Sequence, residues 1–163
     1  MEFVGNGDDG DSYNYSPPRQ DMHISAENSL VSARRNVDGL RQSLTLDYVL
    51  SVPADLNDRA SGIADRKMPL SATVTLQDDE LIRFTVDVDN QVLSHRLCVR
   101  FATDIMASVS CADQLFGAIT RPVELKESLQ VWEAEQWHEK PIAIEPMQSY
   151  VNLHDDRHGF TFH

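Results

Sequence analysis

From Leu44 to Val52 the chain alternates: Leu44, Leu46, Tyr48, Leu50 and Val52 are separated by residues that include Thr45, Asp47 and Ser51. Successive side chains of a strand point to opposite faces, so this pattern puts one apolar face on a core and turns the other to water. Pro53, which has no amide donor, ends the run. Leu70, Ala72, Val74 and Leu76 repeat the alternation, as do Ile82, Phe84, Val86 and Val88, with Gln77-Asp78-Asp79-Glu80 as the hairpin link. A further strand places Leu93, His95, Leu97, Val99 and Phe101 on one face. Near the end, 150–153 and 159–162 flank the turn residues 154–158 and predict another hairpin.

The intervening stretches read differently. In residues 1–20, Gly5, Gly7 and Gly10 alternate with Asn6, Asp8, Asp9 and Asp11, and Pro17-Pro18 follow. That composition predicts a surface loop carrying Tyr13 and Tyr15 rather than a helix or a central strand. Residues 54–67 are polar and predict a long loop. Residues 127–139, with Leu129, Trp132 and Trp137 among Glu and Gln, suit a short helix or an irregular excursion. Repeated strands without a sustained helical period predict an all-β chain, an antiparallel β-sandwich.

The 163 residues are enough to bury a core. With 26 acidic and 14 basic side chains the net charge is −12, which argues against nucleic acid or an anionic membrane as partner. No apolar run approaches the ~20 residues that span a bilayer. The first residues, MEFVGNGDDGDS, have neither the basic nor the apolar region of a signal peptide. Two cysteines, Cys98 and Cys111, are too few for a disulfide scaffold, so we expect free thiols and a cytoplasmic location.

Two groups of segments are more particular. One is Gly7-Asp8-Asp9-Gly10-Asp11-Ser12-Tyr13-Asn14-Tyr15-Ser16-Pro17-Pro18. The other runs from 95–101 (HRLCVRF) through 112–117 (ADQLFG) and 120–123 (TRPV) to Trp132, Trp137, 139–141 (EKP) and 146–151 (PMQSYV). Together, in this order, they resemble glycoside hydrolase family 38, the α-mannosidases, and more particularly the bacterial branch that includes mannosylglycerate hydrolase. The likeness runs over nearly the whole chain and is weakest across 54–67.

The resemblance implies the β-sandwich region that follows the family's catalytic and helical domains, of the supersandwich or galactose-mutarotase-like kind and incomplete within these 163 residues. It implies that zinc and the Asp nucleophile of a retaining mechanism belong to a catalytic domain with no counterpart here. The family's His-x-His-x-Asp-x-x-Trp metal motif is missing from the sequence, so no cofactor is expected in this chain. The expected partners are the rest of a parent mannosidase chain and an α-mannoside or mannosylglycerate substrate. In the family, a Tyr on an aromatic-rich loop at the start of this region contacts the mannose at the zinc, and the matching residue is Tyr13. A phenol suits that role, because its ring covers an apolar sugar face while its OH bonds a hydroxyl. Taken alone, the chain is expected to be inactive. A sandwich cut short would leave apolar faces and edges uncovered, which predicts a homo-oligomer. A stand-alone carbohydrate-binding module using Trp132, Trp137, Tyr13 and Tyr15 is the alternative.

Other candidates have plainer readings. Asp8, Asp9 and Asp11 offer oxygens to calcium but lack the spacing of an EF-hand, and turn chemistry accounts for them. His154 and His158 have the i, i+4 spacing of a helical zinc site, yet flank a hairpin turn. His95 reads as a core or edge histidine. Glu133 with Glu135, and Asp155 with Asp156, are not placed as the two facing carboxylates of a glycosidase. Arg34, Arg35 and Arg41 could meet an anionic substrate or simply decorate a polar face.

Overall fold

A computed structural model describes residues 1–11, 13–136, 141–143 and 146–163. The chain divides into two compact units, Met1–Phe101 and Ala102–His163. Among the described residues no helix is long and apolar enough to cross a membrane.

In the first unit, β1 (Glu2–Gly7), β2 (Ile24–Ser25), β3 (Leu30–Asp38), β4 (Arg41–Val52), α1 (Leu56–Ala60), β5 (Arg66–Leu76), β6 (Ile82–Val88) and β7 (His95–Arg100) follow one another. They form two antiparallel sheets, β2-β1-β7 and β3-β4-β5-β6. The alternation in β4 and β5 does what the sequence predicts at one end only, since Leu44 and Leu76 are exposed and Thr75, expected to face out, is buried. Leu50 and Val52 from β4 and Met68, Leu70 and Ala72 from β5 are buried together with Phe3 of β1 and Ile24 of β2. The ring of Phe3 meets Tyr48 edge-on at 5.5 Å. The core is thus a sandwich between the three-stranded sheet and one end of the four-stranded sheet.

The second unit holds β8 (Val109–Gln114), β9 (Gly117–Pro122), α2 (Lys126–Glu135), β10 (Val151–His154) and β11 (Gly159–Phe162). Its sheet has the order β11-β10-β8-β9, again antiparallel. The terminal hairpin and the short helix lie where the sequence places them. Asp155 closes the hairpin turn by accepting the backbone N–H groups of Arg157 and His158, both at 2.8 Å.

Several expectations need correction. Residues 1–20 are not all loop, because β1 is the central strand of its sheet, paired with β7 from Glu2↔Arg100 to Gly7↔His95. Its glycines are there for close approach. A Cβ on Gly5 would lie 2.7 Å from Cε1 of His95, and one on Gly7 would lie 2.6 Å from Cδ of Arg59. The stretch 54–67 is not one long loop either. Asp55 caps α1 by accepting from the amides of Asn57 (2.8 Å) and Asp58 (3.0 Å), and β5 already begins at Arg66. The strands β2, β3, β8 and β9 have no apolar alternation to betray them. β3 is an edge strand exposed almost throughout, so its sequence is free to be polar.

Candidate functional site

The loop between β1 and β2, residues 8–23, is built from aspartates that satisfy its own backbone. Asp8 Oδ1 accepts from Gly10 N at 2.9 Å and from Ser16 N at 3.1 Å. Asp9 N donates to Ser16 O at 2.8 Å. Asp11 Oδ1 accepts from Tyr13 N (2.8 Å) and Asn14 N (3.0 Å), which holds its carboxyl below the usual carboxylate range. Asp8 and Asp11 therefore perform the turn chemistry read from the sequence.

Tyr13 stands on this loop 91% exposed, so it does not pack on the sandwich. Tyr15 does pack: the Arg96 guanidinium lies over its ring, 4.4 Å from the centroid. The two tyrosines, two positions apart, thus have different tasks.

Beneath the loop lies a cluster that the sequence did not disclose. Arg59, on α1, is 3% exposed. Its Nη1 donates to Asp21 Oδ1 at 2.9 Å and to Met22 O at 2.6 Å, and its Nη2 lies 2.9 Å from Nδ1 of His95. Asp21 Oδ1 also accepts the N–H of Gly7 at 2.9 Å, joining the two ends of the loop. Arginine only donates, so Nδ1 of His95 accepts and the ring is the neutral Nε2–H tautomer. That Nε2 is buried without a hydrogen-bond partner among the described residues, as is Nε of Arg59. His95 is therefore a half-buried strand histidine satisfied on one nitrogen. Burial first, and the Arg59 charge second, push its pKa below 6.5, while Asp21 opposes them. The overlooked signal was Asp55 as an N-cap, with Arg59 one turn further along.

The remaining candidates do not converge. Arg34 pairs with Asp47, which also accepts from Ser32 at 2.5 Å and Ser71 at 3.0 Å, and Arg35 bonds Gln42 at 3.0 Å. Arg41 opens β4. These contacts favour the polar-face reading. His154 bonds Asn152 at 2.8 Å, and Nδ1 of His158 lies 3.8 Å from Asp155. Glu133 and Glu135 are exposed on α2, and Trp132 is half-buried there. Trp137 lies outside the described residues. Cys98 on β7 and Cys111 on β8 are free and half-buried. In the second unit a groove of about 690 Å³ runs between 105–108 and 122–128. Its Glu124 and Lys126 pair with each other at 2.5 Å. Among the described residues no three His, Cys, Asp or Glu side chains gather as a metal ligand set.

A family model described as the glycosyl hydrolases family 38 C-terminal domain matches residues 2–163. The chain belongs to this family. Among solved structures, an α-mannosidase from Enterococcus faecalis V583 is similar to this family 38 domain with a TM-score of 0.79 and 22% identity. The match covers 99% of this chain and 19% of that one, so the domain spans about a fifth of the α-mannosidase's length and shares its fold. A search of curated protein sequences gave no match.

Proposed function

We propose that this family 38 domain is a non-catalytic β-sandwich part of a zinc-dependent, retaining α-mannosidase of the mannosylglycerate hydrolase-like branch, and that it scaffolds and lines the sugar cleft. The observation that carries this reading is Tyr13. It is an almost fully exposed phenol on a loop tied down at its base, its middle and its neighbouring aromatic. An exposed ring held by an ordered backbone loses little entropy on meeting a sugar. Family membership and the shared fold support the same assignment. The zinc and the nucleophile belong to the catalytic region of the parent enzyme, and no step of the chemistry is assigned to this chain. The substrate is a terminal α-mannoside or 2-O-mannosylglycerate. Two free thiols favour a cytoplasmic enzyme, and the exposed Ile82, Phe84, Val86 and Val88 of β6 favour association through this face.

The test is Tyr13→Phe in the full-length protein, with kcat/KM measured on mannosides. We expect a fall of about tenfold, the worth of one hydrogen bond to a sugar hydroxyl, with unchanged thermal unfolding. An unchanged kcat/KM removes Tyr13 from the cleft. Zinc-dependent release of mannose by the 163-residue chain alone would overturn the non-catalytic assignment.

A further inference from the structure

The start of β7 reaches the 8–23 loop through three consecutive residues, directly at Ser94 and Arg96 and by way of Arg59 at His95. Ser94 O accepts from Asp8 N at 3.0 Å. His95 holds Arg59, which holds Asp21, which holds the amide of Gly7. Arg96 covers the ring of Tyr15. One titrating ring therefore sits between the two direct contacts that this strand makes with the loop.

We propose that Ser94, His95 and Arg96, with Arg59 and Asp21, form a proton-sensitive clasp on the 8–23 loop, closed while His95 is neutral and loosened when it takes up a proton. The reason is donor counting. Neutral His95 offers Nδ1 as an acceptor to Arg59, whereas the imidazolium carries N–H on both nitrogens and has no acceptor to offer. Protonation turns the 2.9 Å contact into two donors facing each other, with two positive charges at hydrogen-bond distance. The charged groups facing His95 are Arg59 from α1 and Asp21 from the loop. The strand β1 brings Gly5 to the ring, and this residue does not titrate. Arg59 is too enclosed to swing into water, so relief comes from moving the ring or the loop end that Asp21 anchors.

The sign follows from the shift. With a folded pKa below 6.5, the clasp is intact above 6.5 and its contribution is lost as pH falls through the folded value. The inference concerns what holds the loop, and it stands whether or not Tyr13 meets a sugar.

The experiment is an NMR titration of the isotopically labelled 163-residue chain from about pH 7.5 to about pH 4.5, the range in which histidine switches. The His95 imidazole, the Gly7 amide and the Tyr15 ring are expected to move with one midpoint below 6.5, while the amides of Leu50 and Ala72 stay still. In His95→Gln, whose side-chain oxygen can still accept from Arg59, the transition of the loop signals should be lost. Loop signals that stay flat in the wild type, or still titrate in His95→Gln, overturn the proposal. Should that variant fail to fold, Asp21→Asn serves instead. Removing the charge that favours imidazolium lowers the His95 midpoint, and the loop midpoint must fall with it. A loop midpoint that stays in place overturns the clasp.

Discussion

A Cβ on Gly10 would lie 1.8 Å from the carbonyl oxygen of Asn14. The contact is with backbone, so no side-chain rotation can relieve it, and it is the tightest point of the loop that carries Tyr13.

Gly10→Ala should therefore open the loop without unfolding the sandwich. Hydrogen exchange is expected to show lost protection at the amides of Gly10 and Ser16, which now bond to Asp8. The loop is exposed, so the global cost is about 1 kcal/mol, or about 3 °C in Tm for a chain of this size. Retained protection at Ser16 would show that the backbone can shift to make room.

Arg59→Ala should be far more costly. It strips Asp21, Met22 O and His95 of a shared donor and leaves a void beneath α1. Losing one partner of a buried ion pair typically costs 3–5 kcal/mol. Asp21 keeps 25% of its side chain in water, so we expect a loss of about 3 kcal/mol in urea unfolding of the chain. Arg59→Lys should recover only part of this, because one ammonium cannot present the guanidinium fork to all three acceptors. A loss below about 1 kcal/mol in Arg59→Ala would show that the cluster is not a structural tie.

Asp47 links three strands through Ser32, Arg34 and Ser71, and these bonds lower its pKa to about 2 from 3.8. The native state then binds fewer protons than the unfolded one, so stability rises with pH across that interval. The contribution is present above 3.8 and is lost as pH falls through about 2. The drop in urea midpoint between about pH 5 and about pH 2 should shrink in Asp47→Asn. An identical drop in the variant would mean that other carboxylates carry the acid sensitivity.

Asp113 on β8 accepts the backbone N–H groups of Gln148 (3.0 Å), Ser149 (2.9 Å) and Tyr150 (3.0 Å), and the Ser149 hydroxyl at 2.5 Å. These donors hold its carboxyl far below the usual carboxylate range. Asp113→Ala should free the segment entering β10, seen as faster exchange at Ser149 and Tyr150 while the β8–β9 hairpin stays protected. Slow exchange at both amides in the variant would count against a tethering role.

What could be read from the chain itself followed the physics of alternation. Leu44 to Val52 and Leu70 to Leu76 announce strands because part of one face meets a core, and Ile82 to Val88 shows the same alternation although its apolar face is left exposed. The hairpin at 150–162 shows itself by its turn residues, and the spaced blocks pointed to family 38. The loop aspartates announced turns, and they make them.

Only the tertiary structure placed β1 in the middle of a sheet and brought Arg59, Asp21 and His95 together. Glycine is permissive, so Gly5 and Gly7 suggest a loop until the imidazole and guanidinium stem that lie against them are known. Likewise, an arginine in a polar stretch looks solvated until its acceptors, 37 and 38 residues away in sequence, are in place around it. Alternation is a local property, set by which face of a strand meets water. The ion pair of a buried arginine is a non-local one, and its partners come together only once the chain has folded.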